Sequence, residues 1–207
     1  MAKKKLLLVE GTDDFHVVLN LQGDRGFRVL DTAEIEDCKG DDKLLGSLPT
    51  RIKASEDAII GVLLDADVDI HGRWNAVRSL LTRAGYGEVP ENPDPKGTIL
   101  EPVAGTLLPR IGIWLMPNNL DPGMLEDFLR TLVPADDPHL PIADSTVNGL
   151  PDRRFSDNHR SKAIMHTWLA WQKEPGKPFG QAITIRFLES NSANADNFCD
   201  WLKRLFS

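Results

Sequence analysis

Cysteine is scarce in this chain: Cys38 and Cys199 are the two present, and no C-x-x-C pair occurs. A structural zinc ribbon is thereby excluded, and a disulfide framework is not expected. Long apolar runs are missing as well. In "MAKKKLLLVEG" three lysines precede only Leu6–Val9 before Glu10 interrupts. A secretory core needs roughly 7–15 apolar residues and a membrane span about 20. The sequence therefore reads as soluble and cytoplasmic, with no membrane partner. Positive charge is in deficit, 24 Lys and Arg against 31 Asp and Glu, a formal net charge of −7. That balance speaks against a surface coated for non-specific nucleic-acid binding and leaves a local basic groove open. At 207 residues the chain is long enough to bury a sizeable core without metal or disulfide support.

What is present is an alternation of apolar runs and amphipathic stretches. "KLLLV" (5–9) reads as a buried strand running into "EGTDD", with Thr12 as N-cap of a helix carrying Phe15, Val18 and Leu19. "FRVLDTA" is predicted as a second strand. The next helix places Leu44, Leu45, Leu48 and Ile52 at near-helical spacing, with Pro49 expected to kink or divide it. "DAIIGVLLDAD" is apolar from Ala58 to Leu64, the pattern of a strand covered on both faces. A helix with Trp74, Val77, Leu80 and Leu81 on one face follows and stops at Gly85. "TILEPV" and "IGIWLMP" resume strand character, either as an antiparallel pair or with one crossing back to the sheet. A helix from near Pro122, an irregular stretch over 134–158, and helices in "HRSKAIMHTWLAWQ" and "ADNFCDWLKRLF" complete the chain, with "KEPGKPFGQAIT" between them as a turn-forming loop. The alternation implies an α/β fold, an open and mostly parallel sheet flanked by helices. One domain is expected, with a core over about 4–130 and a helical C-terminal elaboration over about 131–207.

In such a sheet, ligands bind beyond the carboxyl ends of the strands. Glu10 ends the first strand, Asp65 ends the third, and Asp67 lies two residues on. Two carboxylates at ~4 Å repel by roughly 4 kcal/mol at an effective dielectric of about 20, so a cluster must take up protons or recruit a cation. Oxygen donors without His or Cys suit Mg²⁺ or Mn²⁺. Singly, Asp13, Asp14 and Asp69 read equally well as helix caps or solvated turn residues. Glu126 and Asp127 fall in a first helical turn, where the macrodipole favours acids. Glu126 is nevertheless a candidate further metal ligand, because its helix follows a strand ending at the same edge.

"LLLVEGTDD" followed by "VLLDADVD" resembles the Toprim fold of topoisomerases, bacterial primases and the nucleases of the OLD (overcoming lysogenization defect) type, over roughly residues 4–85. Segments "MPNNLDPGMLEDFL" and "HTWLAWQKEPGKPFGQAI" resemble a largely uncharacterised bacterial Toprim-related family. The resemblance implies Glu10 as general acid or base, Asp65 and Asp67 holding Mg²⁺ against the scissile phosphate with Asp69 assisting, and Gly11 allowing close backbone approach to the phosphate. It implies a nuclease acting on DNA or RNA, either within a defence or repair complex beside an ATPase or as a free-standing nuclease or RNA-processing protein. The single tyrosine, Tyr86, stands in a turn without the context of a DNA-linking nucleophile, and too few cysteines exist for a primase zinc domain. No G-x-x-x-x-G-K-[ST] loop occurs, so an ATPase partner would be a separate protein.

Two rivals stand beside this reading. One is a non-catalytic subunit that binds nucleic acid or a partner protein. The other is an Asp-nucleophile phosphatase of haloacid dehalogenase type, which also ends a strand in Asp-x-Asp but keeps that motif near its N-terminus and needs no Glu10-Gly11. Positive charge to face a polynucleotide is concentrated in "RRFSDNHRSK", with Arg153, Arg154, Arg160 and Lys162, and on the helix holding Arg73, Arg78 and Arg83. Either set also reads as a solvated helical face, and His159 and His166 as packed helix residues.

Overall fold

The near-continuous apolar runs do become the centre of the sheet. The structure, a computed structural model, describes residues 3–28 and 30–207; Met1, Ala2 and Val29, the last inside the predicted second strand, lie outside the described residues. Strands β1 (Lys5–Val9), β2 (Ala33–Asp37), β3 (Ile59–Asp65), β4 (Thr98–Leu100) and β5 (Arg110–Met116) form one sheet in the order β2-β1-β3-β5-β4. All neighbouring pairs are parallel except β4 with β5. Both readings of the "TILEPV"/"IGIWLMP" pair therefore hold at once: the two strands are antiparallel to each other, and β5 returns beside β3.

Alternation along the strands divides the core. Leu6, Leu8, Ile60, Val62 and Leu64 face helices α2 (Asp41–Ala54) and α3 (Ile70–Ala84) in one apolar cluster. Leu7, Val9, Ile59 and Leu63 face the other way, into a cluster with α1 (Thr12–Asp24), α4 (Leu125–Arg130), α5 (His139–Asn148), α6 (Arg160–Ala170), α7 (Phe179–Thr184) and α8 (Ala193–Phe206). Two glycines in register, Gly61 and Gly112, admit α8 to the sheet. A Cβ at Gly112 would meet Leu205 at 2.6 Å, and one at Gly61 would meet Leu7 at 2.7 Å and Phe206 at 3.0 Å. Residues beyond 131 thus supply much of one side of the core.

Four predicted elements differ. The second strand lies at 33–37 and shares only Ala33 with "FRVLDTA": the Gln22 side chain accepts from the Leu30 N–H at 2.7 Å, and residues 30–32 form a turn ahead of the strand. Being at the sheet edge, β2 carries Glu34, Glu36 and Asp37 in place of an apolar run. Pro49 lies within the single helix α2 and does not divide it. The stretch 134–158 is not irregular throughout, since α5 forms there, its entry held by Asp137 Oδ1 accepting from the N–H groups of His139 and Leu140 at 2.9 and 2.8 Å. The predicted loop over 173–184 contains α7, whose Gly180 lies so close to α1 that a Cβ would meet the His16 carbonyl at 2.8 Å. On α1 itself the buried face is Asp14, Val17, Val18, Leu21 and Gln22; Leu19 points outward. No helix among the described residues is long and apolar enough to cross a membrane.

Candidate metal centre

Parallel pairing of β1 with β3 brings their carboxyl ends side by side, and the acids follow. Glu10 Oε1 accepts from the backbone N–H of Asp65 at 2.6 Å. Asp65 Oδ1 accepts from the N–H of Leu125, the first residue of α4, at 2.9 Å. What delivers α4 to this point is Asp67. Its φ of 53° is in the left-handed region, which Asp tolerates better than most residues. Its backbone exchanges two hydrogen bonds with Gly123, at 2.8 and 2.6 Å. The loop before α4 is thereby fastened to the end of β3, and Glu126, 3% exposed, comes to the same cleft.

That cleft encloses about 350 Å³ between Gly11, Asp14, Asp65, Glu126, His159 and Lys162. Its character is set by buried negative charge. Burial first, then repulsion by Glu10, Asp14, Glu126 and Asp67, raises the Asp65 carboxyl well above the ordinary carboxylate range. Burial pushes Glu10 up to about 7, the Asp65 N–H pulling the other way and Asp14 adding repulsion. Asp14 is also pushed up to about 7 by burial, with the Gly11 N–H opposing and Glu126 reinforcing. Two cations approach the group: Lys162 Nζ lies 3.5 Å from Glu126 Oε1, and Arg73 exerts an attraction on Glu10.

Of the residues singled out from the sequence, Asp65 and Glu126 line the cleft, and Glu10 stands beside them on the Asp65 N–H. Asp67 lines the cleft, yet its carboxylate is paired with Arg73, which also holds Asp41 at 2.8 Å. The Arg73 side chain is only 12% exposed in this clamp. Asp69 is the N-cap of α3, its Oδ1 accepting from the Gly72 N–H at 2.9 Å. Gly11 is the N-cap of α1 in an extended conformation open to any residue, and a Cβ there would meet nothing nearer than Asp14 Oδ2 at 3.5 Å. Tyr86 is buried, with its hydroxyl donated to the Pro109 carbonyl at 2.7 Å. His166 lies outside the cleft, its ring tilted 42° against that of Phe179 with centroids 4.7 Å apart. Asp14, which reads from the sequence as a helix cap, also lines the cleft. The signal for it is helical spacing, because Asp14 begins the face that continues as Val17, Val18 and Leu21.

Hard oxygen donors carrying surplus negative charge fit Mg²⁺ or Mn²⁺ in kind. Among the described residues no three His, Cys, Asp or Glu side chains stand close enough to share one ion. One oxygen each of Glu10, Asp14 and Asp65 is committed to a backbone N–H, so holding an ion would require the remaining oxygens to draw together.

A pH dependence follows from the two shifted carboxyls. Unfolded, Glu10 and Asp14 ionise near 4.5 and 3.8; folded, they keep their protons to about 7. Their stabilising contribution is complete below pH ~4 and disappears as pH rises through 7. For Glu10 alone the interval corresponds to on the order of 3 kcal/mol. Metal-free protein is expected to melt at a lower temperature at pH 8 than at pH 5.5, a difference that thermal unfolding in chelator measures and that Glu10→Gln should reduce.

Fold and site together define an α/β protein with an acidic cleft at the carboxyl edge of a mostly parallel sheet. The chain belongs to the family described as "Protein of unknown function (DUF3226)", whose model matches residues 4–207. Comparison with curated proteins and with solved structures returns no match.

Proposed function

We propose that this protein is a Toprim-like, Mg²⁺- or Mn²⁺-dependent nuclease that hydrolyses phosphodiester bonds of nucleic acid. The observation that carries the reading is that Asp14, Asp65 and Glu126 line one cleft, with Glu10 of the neighbouring parallel strand accepting from the Asp65 N–H beside it. Glu10, Asp65 and Glu126 would hold the ion, and Asp14 adds negative charge behind them. Asp67 enters this role only if Arg73 releases it. Bound there, the ion would polarise the phosphodiester and acidify an attacking water. As the Toprim resemblance implies, Glu10 would take the proton of that water or return one to the departing oxygen. Gly11 keeps the cleft wall bare, so the backbone offers no side chain against the phosphate. Asp69, capping α3, is not a ligand in this scheme.

The non-cutting subunit is the second reading, and one contact favours it: Arg73 already neutralises Asp67. An assay on single-stranded DNA, duplex DNA and RNA with Mn²⁺ separates the two. Cleavage by wild type, abolished by chelator and by Glu10→Gln, is the expected result. Binding without cleavage by wild type identifies the subunit or a requirement for a separate ATPase partner. Turnover of a small phosphomonoester with none of polynucleotide would point to the phosphatase rival.

A further inference from the structure

A second hollow adjoins the acidic cleft. It is a shallow, open hollow of about 480 Å³ between Phe155, His159, Lys162, Ala163 and His166. His159 and Lys162 belong to both, so they form the common wall. The geometry points to this hollow as the seat of a nucleobase, which makes single-stranded nucleic acid the substrate of the cleft. The inference rests on the nuclease reading and adds to it the form of the polynucleotide.

Three observations support it. The volume is in the range of small-ligand sites, roughly 300–1,000 Å³. The lining is π-rich: Phe155 is half-buried, His159 and His166 are exposed, and His166 is backed by Phe179 at 4.7 Å between ring centroids. Such a surface accepts the face of any base with little preference for sequence. The flanking charge also runs against the overall balance of −7. Arg154 and Arg160 are exposed and, among the described residues, make no ion pair with a carboxylate, and the Lys162 side chain is 49% exposed beside Glu126. Arg153 is engaged with Asp157 at 2.9 Å. A base in the hollow would leave its phosphate over Lys162 and His159, at the lip of the acidic cleft. In a duplex the π-faces are hidden by neighbouring bases, and reaching such a seat requires unstacking. A single strand presents them freely.

The test is fluorescence anisotropy with labelled 15-nucleotide DNA and RNA single strands and with the matching duplexes, in chelator to prevent cutting. Both single strands are expected to bind about tenfold more tightly than their duplexes, the range of one or two stacked bases. Phe155→Leu keeps apolar bulk and removes the π-face; it should weaken single-strand binding about tenfold and duplex binding little. Phe155→Trp should retain it. Arg160→Gln should reduce the slope of log affinity against log salt by about one. Equal affinity for single strand and duplex, or unchanged single-strand binding by Phe155→Leu, overturns the inference. Mn²⁺ titration and wild-type cleavage report separately on the cleft. If wild type takes Mn²⁺ and cuts while Phe155→Leu is unaffected, the base seat alone fails; if wild type neither takes Mn²⁺ nor cuts, both fail.

Discussion

Replacing Asp65 with Asn is expected to do two opposite things: stabilise the metal-free protein and remove its response to Mn²⁺. Asn keeps the oxygen that accepts from the Leu125 N–H at 2.9 Å, so α4 stays in place. It removes a carboxyl whose ionisation is opposed first by burial and then by Glu10, Asp14 and Glu126. If about 2 kcal/mol of repulsion is relieved, a domain of this size melts roughly 4–8 °C higher. Wild type at pH 8 should gain about 2.7 kcal/mol from Mn²⁺ at a hundred times its dissociation constant, and Asp65→Asn almost nothing. Metal-dependent cleavage should fall by at least ~100-fold, the upper end of what loss of an outer-shell partner costs. The paired signs matter. A residue that merely held the fold would lose stability on substitution, whereas a cation ligand surrounded by acids gains it. Thermal unfolding at pH 8, with and without Mn²⁺, reads both effects. Destabilisation of the metal-free variant would contradict the electrostatic account of the cleft.

Trp201→Ala carries the second large effect, on stability. Trp201 is fully buried on α8, its ring 5.7 Å from Trp114 of β5 and 5.8 Å from Phe198. It rests on bare backbone at two points: a Cβ at Gly97 would meet Trp201 at 2.2 Å, and one at Gly112 at 3.1 Å. Gly97, at φ +85°, also needs glycine for its conformation. No neighbour can move inward to fill the space an alanine leaves. The expected cost is about 3–5 kcal/mol, lowering the melting temperature by roughly 10 °C. Trp201 Nε1 has no hydrogen-bond partner among the described residues, so the loss comes from packing, and Trp201→Phe should recover most of it. A cost under about 1 kcal/mol would mean that α8 is a removable addition to the sheet.

The sheet was legible where strands are covered on both faces. β1, β3 and β5 are continuous apolar runs, and the stop of α3 at Gly85 is its left-handed cap. β2 was not, because an edge strand needs no apolar run; "AEIED" keeps its register by pairing with β1 and places Glu36 against Arg51. α5 and α7 were hidden by Pro141 and by Gly180, and both depend on partners distant in sequence. Glu10 and Asp65 were legible as site residues because strand ends fix where they go. Asp14 was obscured by its doubling as a capping residue. Arg73 lies six residues from Asp67, a spacing that brings side chains together only through the left-handed turn at Asp67. No periodicity announces that pair.

The most direct test of the metal centre is a crystal structure of the protein soaked in Mn²⁺, with anomalous differences recorded at the manganese edge. A peak is expected between the carboxylates of Glu10 and Asp65, within coordinating reach of Glu126. No peak there at saturating Mn²⁺, with Glu10 still accepting only from the Asp65 N–H and Arg73 still clamped on Asp67, would contradict it.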